Sequence, residues 1–278
     1  MTWTELGTGV FVKRYEAGDI NVGAVVGPQG VTIVDTRGSG AEAQEIVDDV
    51  AHQFRKPIVA AINTHAHYDH SFGNSVFAGL GVPIYGHHKI PAHYDAFEAP
   101  RLAAWQADPA REPDKHWDDV VLAPPTASIH RPTTLTHSGR DIVCIPVSPG
   151  HTDTDLAVVV PDSRVWMLGD VVEESGPPMF GSGSRPLGWP GAVVELLMQI
   201  QPRDVIVPGH GRIVGRDFVV QQASTLQRVA DSIRSSHAAG RTVDEAVHAA
   251  ALPWTDWMLR SAFEQGFSEL GAAPQDPR

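Results

Sequence analysis

The stretch IVAAINTHAHYDH, residues 58–70, runs five apolar residues into three histidines and an aspartate within six positions. An unbroken apolar run of this kind suits a strand buried on both faces. The polar groups must then emerge where that strand ends. Open α/β sheets hide their strands between helices and gather ligands beyond the strands' carboxyl ends. Residues 58–70 therefore demand an α/β chain with a polar rim.

The rest of the chain supplies matching pieces. Gly9–Arg14, Ile20–Val26 and Val31–Asp35 read as strands, rich in Val and Ile and separated by glycine-containing turns. Ser39 is placed to cap a helix through Phe54, with Ala43, Ile46, Val47 and Val50 at helical spacing. Ser128–Thr136, Asp141–Val147, Leu156–Val160, Val165–Leu168 and Val205–Val207 are further strands, and Gly191–Ile200 is a helix. From His87 to about Pro125 the periodicity weakens. That segment, with His88, Lys89, His93, Trp105, His116 and Trp117, reads as an insertion of helices and loops. Beyond Gly215 the chain is helical, clearest over Phe218–Ala238 and Val243–Ala251, and the Phe218, Leu226, Val229 and Ile233 stripe reads as core. No stretch is rich enough in Gly, Ser or Pro to mark a linker. The expectation is one domain over 1–278, with 216–278 as its helical extension.

The two halves echo each other. A strand ending at Asp35, a helix and a strand leading to His65 are followed later by a strand ending near Asp170, a helix and a strand leading to His210. Two β-α-β units of this kind place polar residues at neighbouring strand ends. His151 in SPGHTDTD, Asp170 in MLGDVV and His210 in VPGHG each follow a strand, with glycine close by for a tight turn. A lone histidine there is ordinarily structural or exposed. Three such sites beside HAHYDH point instead to metal chemistry.

Five imidazoles and two carboxylates suit Zn²⁺, and they also accept iron or manganese. Seven donors exceed what one tetrahedral ion needs and suffice for two ions sharing a carboxylate. Water between two cations loses a proton near neutrality, and the same ions polarise a carbonyl. The chemistry expected is hydrolytic attack on an electrophilic centre. The formal charge of −12 argues against a nucleic-acid backbone or an anionic membrane as partner. Cys144 is the lone cysteine, so no intrachain disulfide forms. MTWTELGTGVFVKRYE lacks the apolar run of a signal peptide, and no apolar stretch approaches a membrane span. A cytoplasmic protein acting on a small molecule is expected.

HAHYDH, with GHT, GD and PGHG at increasing distance, resembles the metallo-β-lactamase-fold hydrolases, and the glyoxalase-II-like members most closely in ligand set. The resemblance covers about residues 9–215. It implies an αββα four-layer sandwich with the metals on one edge of the two sheets and the C-terminal helices as an extension. It also implies that His65, His67 and His151 hold a first metal and that Asp69, His70 and His210 hold a second. Asp170 would bridge them, Asp69 would orient the hydroxide, and Asp35 would support the ligand loop from behind.

The superfamily hosts many reactions, so departures from its patterns narrow the field. One lactamase subclass has Cys where Asp170 stands and a Lys soon after it to grip a carboxylate. Here Glu173 and Glu174 follow instead, and they are expected to repel an anion, which disfavours lactamase activity. Flavodiiron relatives carry Glu at the His67 position and a flavin domain. Nuclease relatives insert a long domain where only 39 residues separate Asp170 from His210. What remains is a dinuclear hydrolase of a small ester, thioester or lactone. The rivals are an iron-dependent oxygenase and a non-catalytic metal-binding scaffold. The segments 86–119 and 173–190 are expected to fold over the metals. Trp105, Trp117 and Trp189 are candidates to wall a pocket, and His88, Lys89 and Arg185 to meet a polar group, while the C-terminal helices cover the sandwich, line the pocket or pair subunits in a homodimer.

Overall fold

In a computed structural model describing residues 2–252 and 254–271, β1 (Thr4–Gly7), β2 (Val10–Tyr15), β3 (Ile20–Val26) and β4 (Val31–Val34) form an antiparallel meander. β5 (Ile58–Ile62), β6 (Ile84–His87) and β7 (Ala127–Ile129) then add parallel to β4 and complete a seven-stranded sheet. The second sheet holds β8 (Thr133–Leu135), β9 (Ile142–Pro146), β10 (Leu156–Val160), β11 (Val165–Met167) and β12 (Val205–Val207). Its order is β12-β11-β10-β9-β8, and only the β11–β12 pair is parallel.

The single strand expected over Ser128–Thr136 is in fact two strands in different sheets. Pro132 lies in the gap between them, and its missing N–H cannot join a ladder, so the chain leaves one sheet there and enters the other. β1 and β6 carry too little pattern to be read from sequence.

Ser39 caps α1 (Gly40–Phe54) as expected, its Oγ accepting the Glu42 N–H at 3.3 Å. α1 buries Ala43, Ile46 and Val50 on the outer face of the first sheet, beside Phe77 of α3 (Asn74–Gly79). The inner faces of the two sheets meet through Val10, Val25 and Ile62 on one side and Cys144, Leu156 and Val158 on the other. Burial pushes the Cys144 thiol up to about 12, which fits an inert core residue.

α6 (Trp189–Leu197), α7 (Arg216–Ala238), α8 (Val243–Ala249) and α9 (Asp256–Gly271) cover the outer face of the second sheet. Leu226, Val229 and Ile233 are fully buried there, each contributing about 1.5–3 kcal/mol of transfer free energy. The layers are therefore helix, sheet, sheet, helix. Among the described residues no helix is long and apolar enough to cross a membrane.

The two echoed units are real, and they position the rim. β4 pairs parallel with β5, with Val34 beside Ile62, and β11 pairs parallel with β12, with Met167 beside Val207. All four strands end on one edge of the sandwich. The Leu156 N–H donates to the Thr64 carbonyl at 2.7 Å and ties the two sheets together at that edge.

Candidate metal centre

After β5 the backbone turns through Thr64–His67 into the short helix α2 (Tyr68–Ser71), which aims Asp69 and His70 across the rim. The GHTDTD turn supplies His151, the β11 end supplies Asp170 and the PGHG turn after β12 supplies His210. Donor atoms of His65, His67, His151 and Asp170 lie within 4.8 Å of one another, as do those of Asp69, His70 and His210. The structure thus brings together all seven residues singled out in the sequence.

Asp170 lies at the centre. Its Oδ2 is 3.8 Å from His65 Nε2, 3.5 Å from His151 Nε2 and 3.5 Å from His210 Nε2. Its Oδ1 is 3.1 Å from His70 Nε2, yet out of line for a hydrogen bond. Asp69 Oδ2 is 3.4 Å from His210 Nε2.

Asp35 fixes two of the rings. Its Oδ2 accepts from His70 Nδ1 at 2.8 Å and from Thr64 Oγ1 at 2.8 Å, while Oδ1 accepts the Thr64 N–H at 2.7 Å. Because the Thr64 hydroxyl proton points to Asp35, its oxygen accepts from His65 Nδ1, 3.1 Å away. One carboxylate therefore puts the proton on the outer nitrogen of both His65 and His70. His67 donates through Nε2 to the Ser182 carbonyl at 3.0 Å, and His210 through Nδ1 to the Gly18 carbonyl. With their outer nitrogens committed, these four rings turn their second nitrogens inward.

Those inward nitrogens crowd one another. His67 Nδ1 lies 2.9 Å from His151 Nε2, and His70 Nε2 lies 3.3 Å from His210 Nε2. Facing lone pairs repel unless a proton or a cation sits between them. His65 Nε2 and Asp170 Oδ1 are buried without a hydrogen-bond partner. Outer nitrogens held and inner nitrogens left over is how metal-binding histidines are oriented, so the residues fit a metal.

Titration of the metal-free cluster agrees. Burial and the neighbouring rings push His65 well down, and His151 down to about 3. For His70 and His210, burial pulls the same way, but Asp170 and the neighbouring carboxylates together outweigh it and favour the protonated rings well above the ordinary range. Burial by itself would raise Asp69 and Asp170; the charges and hydrogen bonds of His70 and His210 together override it and hold both low. Protons therefore occupy the places that suit cations.

Two supports left no signature in the sequence. Asn21 Nδ2 donates to the carbonyls of Pro208 and Gly211 at 3.0 and 2.9 Å and shapes the PGHG turn. Thr154 Oγ1 accepts the Ala66 N–H at 3.1 Å, joining the GHTDTD turn to the ligand loop. Gly209 permits the close approach of that turn, because a Cβ there would stand 1.7 Å from Asp170 Oδ1. Gly209→Ala is expected to displace Asp170 and weaken metal binding by about 10–100-fold, measured by zinc titration against a chelating dye, with the far-ultraviolet circular dichroism unchanged.

Asp155 closes the GHTDTD turn. Its carboxylate accepts the Thr152 N–H at 3.0 Å and the Thr152 hydroxyl at 2.7 Å. Burial, resisted by those bonds, lifts it from 3.8 to about 7. The folded state then holds a proton that the unfolded chain releases near pH 4. Stability should fall as pH rises from about 4 to 7 and level off above, by an amount on the order of 4 kcal/mol. Denaturant titrations across that window should show the slope, and Asp155→Asn should flatten it.

A cavity of about 480 Å³ opens above the cluster, walled in part by Tyr68, Arg101, Glu173, Met179, Ser182 and Met258. Arg101 is the only arginine or lysine in that wall among the described residues. It stacks on Tyr68, 4.5 Å from the ring centre, and pairs with Glu112 at 2.6 Å. The loop over 179–184 is fastened from outside. Gln265 Nε2 of α9 donates to the carbonyls of Phe180 and Gly181, both at 2.9 Å, and the Ser261 hydroxyl also donates to Phe180.

The sequence-predicted substrate residues lie elsewhere. His88 stacks on His130, with ring centres 4.4 Å apart, and the Lys89 N–H donates to His87 Nδ1. Arg185 lines a neighbouring cavity. Trp189 is buried behind His151, its Nε1 donating to the Val171 carbonyl at 3.1 Å. Trp105 and Trp117 pack with Phe72 and Leu102 in an apolar cluster rather than lining the cavity. Glu173 and Glu174 do not present the anionic wall expected of them. Burial and the Asp170 charge push the Glu173 carboxyl well above its ordinary range, and Arg212 neutralises Glu174 at 2.6 Å.

Comparison with known proteins follows the same lines. Human acyl-coenzyme A thioesterase MBLAC2 (Homo sapiens) is 26% identical over 248 residues, spanning 79% of this chain and 84% of the relative. The FIM-1 metallo-beta-lactamase of Pseudomonas aeruginosa, solved in a mono-zinc form, superposes with a TM-score of 0.62 at 21% identity, covering 82% of this chain and 96% of that one. The sec-alkylsulfatase Pisa1 of Pseudomonas sp. reaches a TM-score of 0.77 at 16% identity, over 98% of this chain and 52% of that one. The model for the metallo-beta-lactamase superfamily matches residues 15–210, from the meander to the last of the seven donors, and the chain belongs to that superfamily.

Proposed function

We propose that the protein is a dinuclear metal-dependent hydrolase of a small ester, thioester or lactone, using two zinc ions and acting in the cytoplasm. His65, His67 and His151 would hold one ion and Asp69, His70 and His210 the other, with Asp170 available to both. The observation that carries this reading is the convergence of four imidazole nitrogens on the Asp170 carboxylate with His67 beside them at His151, the outer nitrogens of four of these five rings being already committed. Bound there, the ions supply Lewis acidity toward a carbonyl and bring a water's pKa near neutrality.

The chain's own groups do the rest. Asp69 faces the cavity and is placed to accept a hydrogen bond from the attacking water and fix its direction. Tyr68, Met179 and Met258 give the cavity apolar walls for an acyl group, and Arg101 meets an anionic substituent. The likeness to a protein named as an acyl-coenzyme A thioesterase favours the thioester among the three classes.

Metal analysis of the purified protein should find at least two equivalents of zinc bound. A panel of thioesters, esters, lactones and lactams should show turnover that chelation removes. Asp69→Ala should abolish that turnover without changing the circular dichroism. Protein that binds no metal, or turnover indifferent to chelation, would sink the reading; iron with oxygen consumption in place of hydrolysis would replace it by the oxygenase.

A further inference from the structure

A second polar cluster lies beside the first, on the inserted segment. α4 (Ile90–His93) ends in His93, a π turn (Tyr94–Glu98) follows, and α5 (Ala99–Ala107) continues from Glu98. His93 is 2% exposed and Glu98 is 0% exposed. His93 Nδ1 pairs with Asp153 Oδ1 at 2.8 Å, while its Nε2 has no hydrogen-bond partner and lies 3.8 Å from Glu98 Oε1. Glu98 Oε1 accepts from Ser182 Oγ at 3.1 Å, and its Oε2 is unpartnered. Donor atoms of His67, His93 and Glu98 lie within 4.8 Å of one another.

The construction repeats the one at His70. There Asp35 holds the outer nitrogen at 2.8 Å and the inner one faces donors; here Asp153 holds the outer nitrogen of His93 at the same distance. A carboxylate on one ring nitrogen and a bare second nitrogen aimed at another donor is the usual support of a metal-binding histidine. Charge points the same way. Among the described residues His93 is the only ion-pair partner of Glu98, and Asp153 shares it. A proton on His93 leaves two carboxylates facing one positive charge, whereas a divalent cation balances both. The π turn that delivers Glu98 is itself a rare backbone form that recurs at functional sites.

We propose that His93 and Glu98 form a third cation site suited to zinc or another borderline divalent ion, completed by Nε2 of His67 once the ion displaces to solvent the proton that this nitrogen otherwise donates to the Ser182 carbonyl. It shares only His67 with the dinuclear centre proposed above and does not depend on which substrate is hydrolysed.

The test uses the full-length protein, stripped of metal and equilibrated with excess zinc. Wild type should retain about three equivalents and Glu98→Gln, which keeps the size of the side chain, about two. Zinc-edge anomalous diffraction of the wild type should place a peak between His93 Nε2 and the Glu98 carboxylate. That peak should persist in Asp69→Ala, so loss of the dinuclear centre and loss of the third site are read separately. Two equivalents or fewer in the wild type, with no peak at His93, overturns the proposal. So does nuclear magnetic resonance showing protons on both His93 nitrogens in the zinc-saturated protein. That result would identify the cluster as a buried imidazolium pair, in keeping with the rise of His93 to about 8 when no metal is present.

Discussion

Asp35→Asn should lower hydrolytic turnover by about 10³–10⁴-fold while leaving all seven donors in the chain. Asn fits the left-handed backbone at this position, φ 69°, better than Ala would, so the change tests the carboxylate and not the turn. Its single oxygen can serve the Thr64 N–H or the side that faces Thr64 Oγ1 and His70 Nδ1, but not both. With oxygen toward the Thr64 N–H, the amide donates where His70 and Thr64 also donate. His70 must then carry its proton on Nε2, pointing into the metal cluster, and His65 loses the hydroxyl that held its Nδ1–H. Both proposed metals are affected by one buried atom. Zinc affinity should drop by about 10–100-fold for each, and folding stability by about 3–5 kcal/mol, because the buried His70 charge loses its partner. Thr64→Val gives the control: it should impair the His65 side alone.

Asp170→Asn should reduce turnover by about a thousandfold and abolish retention of one zinc ion through dialysis. The argument differs from that for Asp35. Asp170 orients no ring; it is the negative charge around which His65, His70, His151 and His210 are packed. Removing it leaves His70 without the neighbour that raises its affinity for a proton most strongly. The metal-free variant should therefore release protons from His70 and His210 at lower pH than wild type, seen by proton titration of the imidazole resonances. Unchanged imidazole titration would show that the charge of Asp170 is not felt at these rings.

The donors were legible in the sequence because strand ends and glycine turns are local patterns. Asp35, His65, Asp170 and His210 each sit one to three residues beyond an apolar run, and the two parallel pairs follow from the same spacing. Asn21 and Ser182 were not legible, since each acts on a residue brought near only by the folding of distant segments together, and Thr64 was not because its role depends on the pairing of β4 with β5. Asn21 reaches Pro208 across 187 positions and His67 reaches Ser182 across 115. The aromatic residues misled for a related reason. Trp105 and Trp189 carry enough apolar area to fill a core, and packing consumed them. Arg101, unremarkable in sequence, reaches the cavity because stacking on Tyr68 holds it there.

The clasp from α9 has an evolutionary reading. Gln265 and Ser261 fasten the 179–184 loop from a helix lying wholly beyond residue 210, where the superfamily match stops. The reactive rim and the fastening of the loop above it thus come from separate stretches of chain. A lineage could exchange that fastening, and with it the molecules admitted, while the seven donors stay fixed.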